Sequence, residues 1–147
     1  MSLAKRGAGW VDPNPMVGAV IVKDGRIIGE GFHEFFGGPH AEVNAIRAAQ
    51  EPVAGATLYV TLEPCSHTGK TPPCAERIAA EKISRVVAGT TDPNPVVNGT
   101  GIGYLESQGI IVETGMMEQP INRMNEVFNK YIRTRMPFVV LKSAMTL

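Results

Sequence analysis

The sequence predicts an α/β protein, on three grounds. Strand-like and helix-like runs alternate from residue 40 onward, an apolar hairpin precedes them, and the composition suits a globular chain with a proper core. The 147 residues suffice for one domain of ordinary size and not for two. Hydrophobic residues make up 44% and charged residues 19%, which excludes disorder as a description of the whole. Fourteen basic residues balance fourteen acidic ones, so the positive field that draws a protein onto a phosphate backbone is lacking. Nucleic acid is therefore disfavoured as a partner.

"VGAVIV" (17–22) and "RIIGEG" (26–31) read as two strands joined at Asp24-Gly25, a dipeptide suited to a tight hairpin turn. "HAEVNAIRAAQE" (40–51) is alanine-rich, lacks glycine and proline, and repeats Val43, Ile46 and Ala49 at helical spacing. "TLYVTL" (57–62) reads as a buried strand. "PPCAERIAAEK" (72–82) reads as a helix whose prolines fall where a first turn tolerates them. A strand at 85–90, a glycine-closed helix at 102–109 and a strand at 110–114 continue the alternation. Ile121, Met124, Phe128, Tyr131 and Ile132 mark one face of a long last helix over 118–135, and "PFVVLKSAMTL" (137–147) reads as a further strand. The alternation implies a mainly parallel sheet covered on both faces.

Both cysteines lie in "LEPCSHTGKTPPC" (62–74), eight residues apart. The first residues hold no apolar stretch fit for a signal peptide, and no later run is long enough to span a bilayer, so a cytoplasmic, membrane-free location is expected. In a reducing compartment two cysteines around a short polar loop suit metal binding or catalysis better than a disulfide. Upstream, His40 and Glu42 are two residues apart, which on an ideal helix is about 200° and puts them on opposite sides. Both can face one site only where the helix begins, and Gly37-Gly38-Pro39 supply that break. Cys74 follows Pro72-Pro73 into the first turn of its own helix, where the dipole favours a thiolate. With Cys65 at a strand end, these starts converge on the side where open α/β sheets bind ligands.

One histidine and two thiolates are the soft ligands zinc takes, and three protein ligands leave a fourth tetrahedral position for water, the arrangement of a catalytic site. Zinc lowers the pKa of such a water towards about 7. Glu42, near the site and not a ligand, is then the group that moves protons. Taken singly, His40 could be a capping or core histidine and Glu42 a solvated side chain; the combination H-x-E with P-C and a second cysteine is a zinc-deaminase signature. His67 could instead join the three ligands and close a structural four-ligand site, although Cys65-x-His67 is a cramped pair and Glu42 would then have no task.

Base and nucleoside deaminases usually have two residues between the cysteines. The longer spacing here, in "TLEPCSHTGKTPPC" with "PNPMVGAVIV" before it and "DPNP" after it, resembles the deaminase domain of the bifunctional riboflavin-biosynthesis deaminase/reductase family. The resemblance runs from about Pro13 to the end. It implies a cytidine-deaminase-like three-layer α/β/α sandwich with a mixed central sheet. It also implies hydrolytic deamination of 2,5-diamino-6-ribosylamino-4(3H)-pyrimidinone 5′-phosphate to the corresponding 5-aminouracil with release of ammonia.

Carried over by position, the resemblance makes His40, Cys65 and Cys74 the ligands of Zn2+ and Glu42 the proton shuttle. It puts Asn14 and His33 on the substrate, His67 and Lys70 on its phosphate, and Asp92 and Asn94 near the ribose phosphate. Without it, Lys70 could be a solvated lysine and His33 a strand-end histidine. The loop does suit a phosphate, with a fixed cation, a titratable donor and Gly69 for close backbone approach.

Residues 1–136 are accordingly expected to form the deaminase domain. Residues 137–147 are expected to be the truncated first strand of a reductase domain that this chain does not carry, its apolar residues packing on the deaminase body or on a neighbouring chain. Only twelve residues precede Pro13, where the family has a longer first helix, so one flank of the sheet should be less well covered. The expected partner is a small phosphorylated pyrimidine, and the sequence leaves a homo-oligomer open. Two competing functions are a nucleic-acid base deaminase, whose expected basic surface is missing, and a non-catalytic binding module stapled by zinc.

Overall fold

The computed structural model describes residues 1–67, 72–94 and 97–146. A five-stranded sheet of order β2-β1-β3-β4-β5 forms its centre. β1 (Gly18–Lys23) and β2 (Arg26–Phe32) make the expected antiparallel hairpin. Its turn residues Asp24 and Gly25 both have positive φ, 48° and 73°, as the primed turns that match strand twist require. β3 (Thr57–Val60) pairs antiparallel with β1, and β4 (Arg85–Ala88) and β5 (Ile111–Thr114) continue in parallel. The sheet is thus evenly mixed, as the family resemblance implies, and not mainly parallel. The hairpin spends two strands on antiparallel pairing, leaving only three for the helical crossovers that enforce parallel neighbours.

One face of the sheet carries Ala19, Ile21, Leu58, Val60, Val86 and Ala88, all buried. They meet Ala41 and Ala45 of α2 (Ala41–Arg47), Ala75 and Ile78 of α3 (Cys74–Ala80), and Leu105 of α4 (Thr100–Ser107) in one core. On the opposite face Gly18 admits the short helix α1 (Ser2–Lys5), and the Arg6 guanidinium stacks 4.4 Å over the Phe32 ring. The N-terminal flank is therefore covered, by one helical turn and a cation–π contact. Among the described residues, no helix is long and apolar enough to cross a membrane.

The first three expected helices form with shifted ends, and the fourth is divided. α2 stops at Arg47, short of 51, because Gln50 N–H returns to Ile28 O at 2.9 Å and Pro52 bars helical geometry at Glu51. The single long helix over 118–135 is two, α5 (Glu118–Met124) and α6 (Glu126–Thr134). Buried Asn125 breaks it, using its side chain as a strand would use its backbone: Oδ1 accepts from Met16 N–H at 2.9 Å and Nδ2 donates to Met16 O at 3.0 Å. The expected last strand does not form: residues 137–146 are in no helix or strand, and Phe138, Val139, Val140 and Leu141 are exposed rather than packed on the body of this chain. Their strand-like composition finds no neighbour to pair with.

α2 lies unusually close to the sheet. A Cβ on Gly31 would collide with the Ala45 amide and the Ala41 carbonyl, and one on Gly29 with the Ala45 carbonyl, so only glycine fits at these two positions of β2. By contrast, Gly103 in α4 has nothing near its missing Cβ. Gly31→Ala should lower stability by about 1 to 3 kcal/mol, the usual range for overpacking, or more because the opposing atoms are backbone. Gly103→Ala should raise stability by about 0.4 to 1 kcal/mol. Thermal and denaturant unfolding of the two variants checks both signs.

Candidate active site

The site forms at the carboxyl ends of β3 and β4, where the chain leaves the sheet into its loops. His40 is the residue before α2, with extended backbone (φ −71°, ψ 163°), and Glu42 is in the first turn. The break at Gly37-Gly38-Pro39 thus does what the two-residue spacing needs, with Gly37 at φ +81°. Cys74 is the first residue of α3, again after a proline. Cys65 lies in the loop five residues past the end of β3, rather than at the strand end itself.

These residues meet. His40 Nδ1 lies 3.5 Å from Cys65 Sγ and 3.3 Å from Cys74 Sγ, and all three ligand atoms are within 4.8 Å of one another. Tetrahedral zinc with Zn–S of about 2.3 Å and Zn–N of about 2.0 to 2.1 Å would hold nitrogen and sulfur roughly 3.6 Å apart, so the donor set and its spacing fit that ion. The exposed His67 is outside this group, so the closed four-ligand arrangement is not formed among the described residues. The Cys74 N–H points at Cys65 Sγ at 3.4 Å. The Cys74 thiol beside it brings Cys65 down to about 4, while the contact with Cys65 and burial push Cys74 up. The bond to Cys65 also raises His40.

Glu42 is buried, 4% exposed, beside this cluster. Burial pushes its carboxyl up to about 7, against the pull of His40. A carboxyl in that range can both accept and return a proton near neutral pH.

A cavity of about 440 Å3 opens over the cluster. His40, Glu42 and Cys65 line it together with Asn14, His33, His67, Asp92 and Asn94. Every expected site residue that the structure describes is therefore at the cavity or in the ligand group. Lys70 lies outside the described residues. His33 is buried and bonded to protein at both ring nitrogens. Nδ1 faces Pro39 O at 3.0 Å and, since a carbonyl only accepts, carries the proton; Nε2 therefore accepts from Asn14 Nδ2 at 3.1 Å. Burial lowers the pKa of His33, consistent with this neutral form. Its ring also stands edge-on to His40, with centroids 5.5 Å apart.

Sequence reasoning missed the far wall. Phe128, Tyr131, Ile132 and Arg135, from α6 and its end, line the cavity. Three of these belong to the apolar stripe read above, which lines the pocket at Phe128, Tyr131 and Ile132 while its first member, Ile121, is buried. It also missed Glu63, whose carboxylate sits at the cavity under the loop that bears Asp92.

Fold and site together define a deaminase of the cytidine-deaminase type: the model of the cytidine and deoxycytidylate deaminase zinc-binding region matches residues 1–90. The chain is 51% identical over its whole length to the riboflavin biosynthesis protein RibD of Aquifex aeolicus, covering 41% of that protein. It is 45% identical over 93% of its length to the diaminohydroxyphosphoribosylamino-pyrimidine deaminase of Buchnera aphidicola, covering 93% of that protein. The crystal structure of a diaminohydroxyphosphoribosylaminopyrimidine deaminase/5-amino-6-(5-phosphoribosylamino)uracil reductase from Thermotoga maritima superposes with a TM-score of 0.89 at 54% identity. The match covers 93% of this chain and 40% of that one. The chain belongs to the riboflavin-biosynthesis deaminases of this superfamily. It spans about two fifths of the length of the RibD relatives, 39 to 41%.

The ligand set makes a direct expectation. Elemental analysis should find one zinc per chain; Cys74→Ser should lose most of it and His67→Ala should keep it. Full zinc in the first variant, or loss in the second, contradicts the three-ligand site.

Proposed function

We propose that the chain hydrolyses the amino group from 2,5-diamino-6-ribosylamino-4(3H)-pyrimidinone 5′-phosphate, giving 5-amino-6-(5-phosphoribosylamino)uracil and ammonia. One observation carries the reading: a buried carboxyl, Glu42, next to a His/Cys/Cys donor set at the floor of a cavity sized for a small molecule. Family membership supports it, and so does the name of the Buchnera relative.

In this reading His40, Cys65 and Cys74 hold zinc, which supplies a water acidified enough to be a nucleophile at neutral pH. Glu42 takes a proton from the attacking water and delivers it to the departing amino nitrogen. The water oxygen bonds to C2, its second proton passes to the ring nitrogen N1, the bond from C2 to the amino nitrogen breaks, and ammonia leaves with a carbonyl in its place. Asn14 has its amide turned by His33, so its Oδ1 is the atom offered to the pyrimidine. His33 then acts through Asn14 rather than by touching the substrate itself, because both of its nitrogens are engaged. Asp92 and Asn94 hold the ribose phosphate end, and His67 with Lys70 receives the phosphate.

Residues 1–136 are the catalytic unit in this reading. Residues 137–147 correspond to the start of the reductase part that the Thermotoga protein's description includes. A zinc-stapled binding module would release no ammonia, which separates it from the enzyme in one assay.

Ammonia release from the phosphorylated pyrimidine tests the whole proposal. Glu42→Gln should retain zinc and lose at least about 10²-fold in turnover, because the amide fills the same space and cannot take the proton. Near-normal turnover with zinc intact would remove Glu42 from the mechanism. Lys70→Ala should cost about 10- to 10²-fold in kcat/KM on the phosphorylated compound, from loss of one charge-assisted hydrogen bond, and little on its nucleoside. Equal losses on both would argue against the phosphate role.

A further inference from the structure

Glu63 is 3% exposed and makes none of the ion pairs found among the described residues. Its carboxylate instead accepts four backbone N–H groups. Oε2 receives Asp92 N–H at 3.1 Å and Gly99 N–H at 3.0 Å. Oε1 receives Gly101 N–H at 3.0 Å and Ile102 N–H at 3.3 Å. A carboxylate offers only acceptors, so donors from two directions saturate it without a counter-ion. Three of the four belong to the start of α4, whose cap position is a glycine with no side chain to offer. Glu63 supplies that cap from another part of the chain.

The fourth bond gives the residue a second task. Asp92 begins the loop whose Asp92 and Asn94 face the cavity, and Asp92 Oδ1 in turn accepts Asn94 N–H at 2.8 Å. The backbone of Glu63 also donates to Thr90 O at 2.9 Å. The residues that follow Glu63 bind the same helix. A Cβ on Gly101 would collide with Pro64 O, so the start of α4 rests directly on the Pro64 carbonyl. Ser66 Oγ meets Thr100 Oγ1 at 2.7 Å. Between these contacts lies Cys65, in the metal-ligand group.

We propose that Glu63 is a positioning residue: it fixes the distance between the Cys65 side of the cavity and the loop bearing Asp92 and Asn94, and so sets how tightly substrate is held. The role rests on the functional reading above, in which those two residues meet the ribose phosphate end. Glu63 touches no reacting atom. Glu63→Gln keeps shape and burial, but turns one acceptor into a donor facing two N–H groups. The loop and the first turn of α4 should then loosen together while the ligand group stays intact.

The test uses Glu63→Gln, with the shorter Glu63→Asp as a second variant, and three readouts. Hydrogen exchange should accelerate at least about tenfold at the amides of Asp92, Gly99, Gly101 and Ile102, and remain unchanged in α2 and α3. Zinc should stay at one per chain. KM for the phosphorylated pyrimidine should rise at least about tenfold with kcat within about threefold, and the rise should largely disappear in an Asn94→Ala background, since residues acting through one contact are not additive. Unchanged exchange in the loop, loss of zinc, or effects that multiply independently with Asn94→Ala would overturn the proposal. So would failure of both variants to fold, which would make Glu63 a residue of general stability. If the wild-type chain releases no ammonia the functional reading fails, and the exchange pattern alone then decides whether Glu63 holds the loop.

Discussion

The contact between α2 and the glycine face of β2 governs the geometry of this molecule. His40 and Glu42 can point into one site only at the first turn of a helix, and that turn has to reach the cysteines that follow β3 and open α3. The height of α2 above the sheet therefore decides whether the donor atoms meet. Gly29 and Gly31 on one side, with Ala41 and Ala45 on the other, let backbone rest on backbone. A larger residue at either position of β2 would lift the helix, and with it a histidine that lies within 3.5 Å of both sulfurs. Small residues here act as spacers, and the chemistry depends on them without their taking any part in it.

A second level of order follows from how polar groups are satisfied. Three side chains in the neighbourhood of the cavity take up backbone groups that would otherwise be orphaned. Asn125 pairs with both groups of Met16, Glu63 collects four amides, and His33 takes the Pro39 carbonyl while receiving the Asn14 amide. Each joins segments far apart in sequence. The cavity is framed by loops and helix starts, and these bonds give those loops the definition that a sheet ladder gives to strands.

The split between what could be read from the sequence and what could not has the same origin. The hairpin was legible because Asp24-Gly25 sits between two apolar runs, and the ligand group because a His-x-Glu pair after Gly-Gly-Pro works only at a helix start. These are local patterns whose chemistry needs no partner. The break at Asn125 was illegible, since the apolar stripe continues through it and its cause is a bond to a residue 109 positions away. Glu63 gave no signal as a cap because its partners are amides 29 to 39 positions on, and any residue has an amide. The segment 137–146 has the composition of a strand, but a strand exists only with a neighbour, and among the described residues it pairs with none. The sheet's mixed pairing was missed when alternation alone was counted, because alternation describes β3 to β5 and not the hairpin that flanks them.

The tie between Asn125 and Met16 also bears on the order in which the molecule can be completed during synthesis. Chains emerge N-terminus first, so the residues that gather at the ligand group, His40 to Cys74, are available while α5 and α6 are still unmade. The cavity wall formed by Phe128, Tyr131, Ile132 and Arg135 follows them in the chain, and the side-chain amide of Asn125 ties its helices to the N-terminal flank. A nascent chain thus has its donor residues in hand before it owns an enclosed pocket.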